Sequence, residues 1–93
     1  MDESDNIQSN GTVKWDISGT WAYACDFKGN DLSSIPSIAA DCGTKCSTTP
    51  TCTHFTWSNF NGGTCFMKNG TVSKQDAFQT NDPSMVCGIA GSA

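Results

Sequence analysis

The sequence has 93 residues, 37% of them hydrophobic, and a formal net charge of −4 at pH 7. This length fits one domain, of a size at which a hydrophobic core alone gives marginal stability. Its five basic residues are all lysines and are scattered among nine acids. The chain therefore lacks the basic patch that binding to nucleic acid or to an anionic membrane requires.

The cysteines predict a disulfide framework. Their number is even and high for so short a chain, which is typical of small domains that support a thin core with cross-links. Because disulfides persist in oxidising compartments, we expect the protein to be secreted or extracellular. The cysteines are Cys25, Cys42, Cys46, Cys52, Cys65 and Cys87.

The chain divides into a tail and a body. Residues 1–14 are polar and contain no Cys, so we expect a flexible N-terminal segment, a domain at 15–90 and a short C-terminal tail at 91–93. The start is hydrophilic and has no secretory h-region, which indicates a mature form with an initiating Met added. No stretch is long and apolar enough to insert into a membrane.

A strand opens the body. Large side chains occur at every second position, which places Trp21, Tyr23 and Cys25 on one face. Residues 15–17 are expected to add an outer strand. Residues 26–31 are turn-rich.

The strongest helix signal begins at Ser37, the expected N-cap. Ile38, Cys42 and Cys46 recur at intervals of four, so they share one face of this helix. Gly43 argues against this helix, since a Gly in the interior of a helix lowers its stability by about 1 kcal/mol relative to Ala. A Thr-Thr-Pro sequence ends the helix.

A hairpin and a final strand follow. Residues 52–57 and 64–68 alternate as strands, and the Gly-rich segment 59–63 between them has hairpin-turn chemistry. Residues 84–89 are expected to form the last strand. The order strand, helix, hairpin, strand describes a small disulfide-rich α+β domain.

Spacing restricts the disulfide pairing without fixing it. Cys42 and Cys46 lie one helical turn apart, with a Cβ geometry that does not suit a mutual bond. A bond from Cys46 to Cys52 closes comfortably across the helix end. The set that needs least distortion is Cys25–Cys87, Cys42–Cys65 and Cys46–Cys52, although spacing alone leaves the other sets open.

Four cysteine-bearing segments and a late Cys form a recognisable pattern: Cys25-Asp26-Phe27-x-Gly29-x-Asp31-Leu32, Asp41-Cys42-x3-Cys46, Cys52-x2-Phe55-Thr56-Trp57, Cys65-x-Met67-Lys68 and Cys87. Over about residues 20–90 the sequence resembles a PAN/apple domain. The resemblance implies a curled antiparallel sheet packed around one helix, with the first Cys paired to the sixth, the second to the fifth and the third to the fourth. It also implies a module that binds glycans or proteins. Gly43 and the stretch 13–20 depart from the usual pattern.

The residue types argue against catalysis. A Ser–His–Asp arrangement needs a positioned base and an orienting acid, and the single histidine, His54, lies in an alternating strand on the face that we expect solvent to reach. A more specific alternative to a domain held by disulfides alone is a zinc site, with Cys42, Cys46, Cys52 and His54 as ligands. Cys52 and His54 are too close in sequence to bind the same ion easily. A zinc site would also leave three cysteines, an odd number, for disulfide pairing. We expect no enzyme activity, no metal and no cofactor.

Strand phase divides the aromatic residues between core and surface. Four share faces with cysteines or other apolar side chains and are assigned to the core: Trp21, Tyr23, Phe55 and Trp57. The outward face of the hairpin and its tip supply the predicted ligand contacts: His54, Phe60, Phe66 and Lys68. Flat rings beside hydroxyl and ammonium donors suit sugars, and equally a protein partner. Alternatively, these rings cover the second sheet face.

We expect an extracellular recognition module that binds carbohydrate on cell surfaces or cell walls, in the manner of a lectin. The alternative is a structural or adhesive protein that acts through protein contacts or forms a homo-oligomer, with residues 1–20 adding a strand to a neighbour's sheet edge.

Asn10 and Asn69 begin Asn-Gly-Thr sequons and are candidate N-glycosylation sites.

Overall fold

The computed structural model describes residues 13–90, which form one α-helix, two short 3₁₀ helices (Phe60–Gly62 and Lys74–Asp76) and seven strands. Helix α1 spans Ala39–Ser47. The strands are β1 (Trp21–Tyr23), β2 (Cys25–Phe27), β3 (Asp31–Pro36), β4 (His54–Ser58), β5 (Thr64–Lys68), β6 (Ala77–Gln79) and β7 (Val86–Ile89). The predicted α+β class with a single α-helix is confirmed.

A five-stranded antiparallel sheet forms the central layer, in the order β1-β7-β4-β5-β3. Helix α1 packs on one face of it. Cys42 and Cys46 of the helix are buried there against Phe55, Met67 and Val86 of the sheet. The predicted phase of the hairpin strands is correct, because Phe55 and Met67 do face the helix.

A second, two-stranded sheet of β2 and β6 lies on the opposite face; we call it the β2–β6 ribbon. Its Cys25 and Phe27 are buried against Ala22 and Cys87 of the central sheet. The domain therefore has three layers, and the sequence interpretation missed the third.

Each outer layer is joined covalently to the central sheet. Cys25–Cys87 joins the ribbon to β7, and Cys42–Cys65 joins α1 to β5. Cys46–Cys52 closes the end of the helix onto the segment that enters β4. These are the same three pairs that the spacing favours, and no cysteine among the described residues is free.

The predicted first strand is broken at Ala24, whose φ of 57° is left-handed. The break turns the chain from the central sheet into the ribbon, so Cys25 does not share a face with Trp21 and Tyr23. The assignment of Tyr23 to the core is wrong, since its side chain is 61% exposed. Backbone bonds hold the break, from Ala24 N–H to the Met85 carbonyl at 2.7 Å and from Thr80 N–H to the Ala24 carbonyl at 2.8 Å.

The helix begins one residue later than predicted. Its N-cap is Ile38, which makes no side-chain capping bond, while the Ser37 hydroxyl donates to the Ile38 carbonyl at 2.8 Å. Ile38 is exposed and does not lie on the buried face.

Packing explains the glycine inside the helix. A Cβ at Gly43 would lie 3.3 Å from the Phe55 ring, so glycine lets the helix approach the sheet.

Other segments differ from expectation in extent. Residues 26–31 contain β2 as well as a turn, and neither β3 nor β6 was predicted, because both are mostly exposed and carry no alternating pattern. Near residues 15–17 the expected outer strand is an isolated bridge between Trp15 and Ala22. Residues 1–12 and 91–93, including Asn10, lie outside the described residues.

We expect loss of Cys25–Cys87 to destabilise the domain more than loss of Cys46–Cys52. The two bonds span 62 and 6 residues, so loop entropy gives about 4 and about 2 kcal/mol respectively. Urea denaturation of the two paired Cys→Ala variants measures this difference. Equal losses, or a larger loss for the shorter loop, would contradict it.

Candidate functional site

The structure separates the four predicted ligand contacts into two pairs. All strand positions have the predicted phase, with His54 opposite Lys68 and Thr56 opposite Phe66 on the face away from α1. The β2–β6 ribbon covers part of that face, however, and leaves His54 1% and Lys68 5% exposed. The prediction that these two side chains face solvent to meet a ligand is therefore wrong.

The buried His54 ring packs edge-on against Phe27 of the ribbon, with centroids 4.8 Å apart. Its Nδ1 lies 2.8 Å from the Thr53 hydroxyl, which donates its one proton to the Gly70 carbonyl at 2.7 Å. The imidazole must therefore donate from Nδ1. Burial lowers the pKa of His54, nearby Lys68 lowers it further, and Asp76 opposes them. Burial and Lys68 both favour the neutral form of the ring, and in that form the bond to Thr53 places the proton on Nδ1.

The polar groups of Lys68 and Thr56 likewise form hydrogen bonds to neighbouring segments. The Lys68 ammonium donates to the Gly29 carbonyl at 3.0 Å and to the Asp31 carboxylate at 2.7 Å, which fixes the turn between β2 and β3. The Thr56 hydroxyl donates to Asp26 at 2.7 Å. The polar groups of this half of the sheet hold the ribbon in place.

The other two predicted ligand contacts, Phe60 and Phe66, do lie close together. The Phe60 and Phe66 rings lie 6.5 Å apart at an interplanar angle of 40°, and Phe60 is 60% exposed. Phe66 is half-buried on β5, opposite Ser34 of the edge strand β3. Together with Ser58 and Thr64, which are opposite each other on β4 and β5, these residues form what we call the Phe60–Phe66 surface. None of its five residues is ionisable.

Hydrogen bonds fix the backbone of Phe60 on both sides. Its N–H donates to the Ser58 hydroxyl at 3.3 Å, and its carbonyl accepts from the Thr64 hydroxyl at 2.8 Å and from the Gly63 N–H at 3.0 Å. Gly63 has a φ of 130°, and a Cβ there would lie 2.6 Å from the Ser37 carbonyl oxygen. The exposed ring thus projects from a turn whose conformation is defined.

The sequence interpretation missed a second surface, a groove between β1 and α1 that we call the β1–α1 groove. The Trp21 and Tyr23 rings meet at its wall, 5.1 Å apart and nearly perpendicular. Both were assigned to the core, because the alternating pattern continues through Ala24. No residue type in this stretch signals the break at Ala24.

The described residues contain no group of three or more His, Cys, Asp or Glu side chains that could hold a metal ion. Three of the four ligands considered for zinc, Cys42, Cys46 and Cys52, are in disulfides. Among the same residues no helix has the length and apolarity needed to cross a membrane.

Residues 25–68 match the family model of the PAN domain. The match starts at Cys25, the first cysteine, and ends at Lys68, the last residue of β5. No curated protein and no solved structure matches the chain. The three disulfides and the α+β fold fit a small disulfide-rich PAN/apple-like domain, and PAN domains are generally non-catalytic modules that bind proteins or carbohydrates.

We expect the free energy of unfolding to fall as the pH drops below about 6.5, the ordinary pKa of histidine. The folded pKa of His54 is lowered, so the unfolded chain binds this proton first and acid favours unfolding. Urea denaturation between neutral and mildly acidic pH measures the effect.

His54→Asn provides the control, because its amide N–H stands near the position of Nδ1 and does not titrate. The chain has no other histidine. The variant should lose the pH dependence across this range. A slope that persists in it would show that another group is responsible.

Proposed function

We propose that this chain, a small disulfide-rich PAN/apple-like domain, is an extracellular, non-catalytic module that binds carbohydrate. The observation that carries the proposal is the pair of uncharged rings at the hairpin. Phe60 is exposed beside Phe66 on a part of the sheet that neither the helix nor the ribbon covers.

The chemistry of this surface suits a neutral sugar. A pyranose with equatorial hydroxyls has flat C–H faces, which stack on aromatic rings, and a rim of hydroxyls that need hydrogen-bond partners. Ser34 lies beside Phe66 and is exposed, and its side-chain hydroxyl makes no hydrogen bond to a described residue. The five surface residues carry no charge, and the net charge of −4 opposes binding to anionic polysaccharides.

The fixed conformation of the turn favours binding further. Association costs free energy when loops and side chains become ordered, so a ring that is already positioned loses less on binding. The bonds from Ser58 and Thr64 to the Phe60 backbone supply that order before any ligand arrives.

Self-association through a sheet edge is the alternative function, and the position of β3 favours it. β3 is the last strand of the central sheet, so one of its sides has no strand partner among the described residues. Its register is irregular between Asp31 and Ser33, however, and Pro36 ends it. Irregular register and proline both oppose pairing with a second chain, so we favour carbohydrate binding. The mass in solution from light scattering distinguishes the two.

We also propose N-glycosylation at Asn69, which follows β5 in a turn. Its backbone N–H donates to the Asn30 carbonyl at 3.0 Å, while its side-chain amide has no partner among the described residues. Thr71, the last residue of the sequon, is exposed. Mass spectrometry of secreted protein before and after enzymatic deglycosylation tests this, with Thr71→Ala as control.

We expect Phe60→Ala to weaken carbohydrate binding by at least about tenfold, equivalent to about 1.4 kcal/mol, because the exposed stacking face is lost. A glycan array identifies ligands, and calorimetry with the best of them measures the loss.

Phe78→Ala is the matched control, since Phe78 is also an exposed phenylalanine but lies on the ribbon. It should bind as the parent does. If Phe60→Ala folds and retains both the parental affinity and the parental stoichiometry, the site lies elsewhere. If the parent binds no glycan, the proposed function is wrong.

A further inference from the structure

We infer that the β1–α1 groove is a second binding site for neutral sugars, so that a single chain holds two saccharide chains at once. The inference rests on the proposed carbohydrate-binding function and extends it to a different surface. It predicts that the monomer is bivalent.

The groove has the volume of a small-ligand site. Its volume is about 720 Å³, within the usual range for such sites. Phe55 and Val86 of the central sheet line its apolar floor. The perpendicular Trp21 and Tyr23 rings form a corner, so a sugar can stack on one ring and rest its edge against the other.

Small residues line the helix side of the groove. Gly43 has no side chain, and Ala40 contributes a single methyl group. The helix packs closely against the Phe55 ring at Gly43, and the small residues at both positions leave room beside this contact. A larger residue at either position would fill this space.

Hydroxyl groups surround the opening. The side chains of Tyr23, Thr44 and Ser47 line the groove, and their hydroxyls have no hydrogen-bond partner among the described residues. None of the lining residues is an Asp, Glu, Lys, Arg or His. A charged peptide would find no partner here, whereas an uncharged ligand with many hydroxyls could bond to the rim and stack against the wall.

The two surfaces face opposite sides of the molecule. Trp21 and Tyr23 lie on the helix side of β1, and Phe66 lies on the ribbon side of β5. In the sheet order these strands are three positions apart, about 14 Å at the usual strand spacing. A short saccharide cannot occupy both sites, because the sheet lies between them. Two polysaccharide strands can be bridged by one domain, with the gain in avidity that bivalency gives.

Calorimetry with cellotriose and chitotriose, two neutral β-linked trisaccharides, tests the inference. The parent should bind two molecules per chain. Tyr23→Ala and Phe60→Ala should each bind one, and the double variant none, while Phe78→Ala should still bind two. Ala40→Arg fills the groove without removing an aromatic ring, and it should also bind one.

Each other result overturns the inference in a distinguishable way. One molecule per parent chain, lost in Phe60→Ala and kept in Tyr23→Ala, leaves the proposed function standing and removes the second site. Sugar-free dimers that Tyr23→Ala dissociates would show that a second copy of the chain occupies the groove. No binding by the parent would overturn both proposals.

Discussion

Two disulfides fasten the outer layers of this domain to its central sheet. Cys42–Cys65 holds the helix against one face, and Cys25–Cys87 holds the β2–β6 ribbon against the other. All four cysteines are fully buried, so each bond also belongs to the core of its layer. A chain with so few aliphatic residues gains from these cross-links the stability that larger domains obtain from a larger core.

The same arrangement determines which surfaces remain available. Because the ribbon is fixed over β4 and β7, it takes up the polar side chains of that face: His54 packs on Phe27, and Lys68 holds the turn at Asp31. The ribbon does not extend over the hairpin end, and the helix does not extend over β1. Aromatic rings lie at both uncovered places, Phe60 at one and Tyr23 at the other. Binding is therefore proposed where the covering layers end.

Local patterns predicted much of the fold. Spacing identified the helix around Cys42, and alternation gave the phase of the hairpin strands correctly. The ribbon could not be found this way, because it depends on a left-handed φ at Ala24, a conformation that alanine rarely adopts and that tertiary contacts impose. This dihedral leads to the ribbon that buries His54, and it removes the shared face with Cys25 on which Tyr23 was assigned to the core. Phe60 and Phe66 were predicted to lie together from phase and turn position, which are local properties.

The central claim is that ligands meet the aromatic residues beyond the covering layers and not the covered half of the sheet. Amide chemical shifts of the ¹⁵N-labelled domain, followed during titration with cellotriose, test it most directly. The account predicts shifts centred on residues 58–66 and on residues 20–23, with the amides of His54 and Lys68 unchanged. Shifts centred on His54 and Lys68 would contradict the account, since they would mean that the ribbon opens or that the ligand binds beneath it.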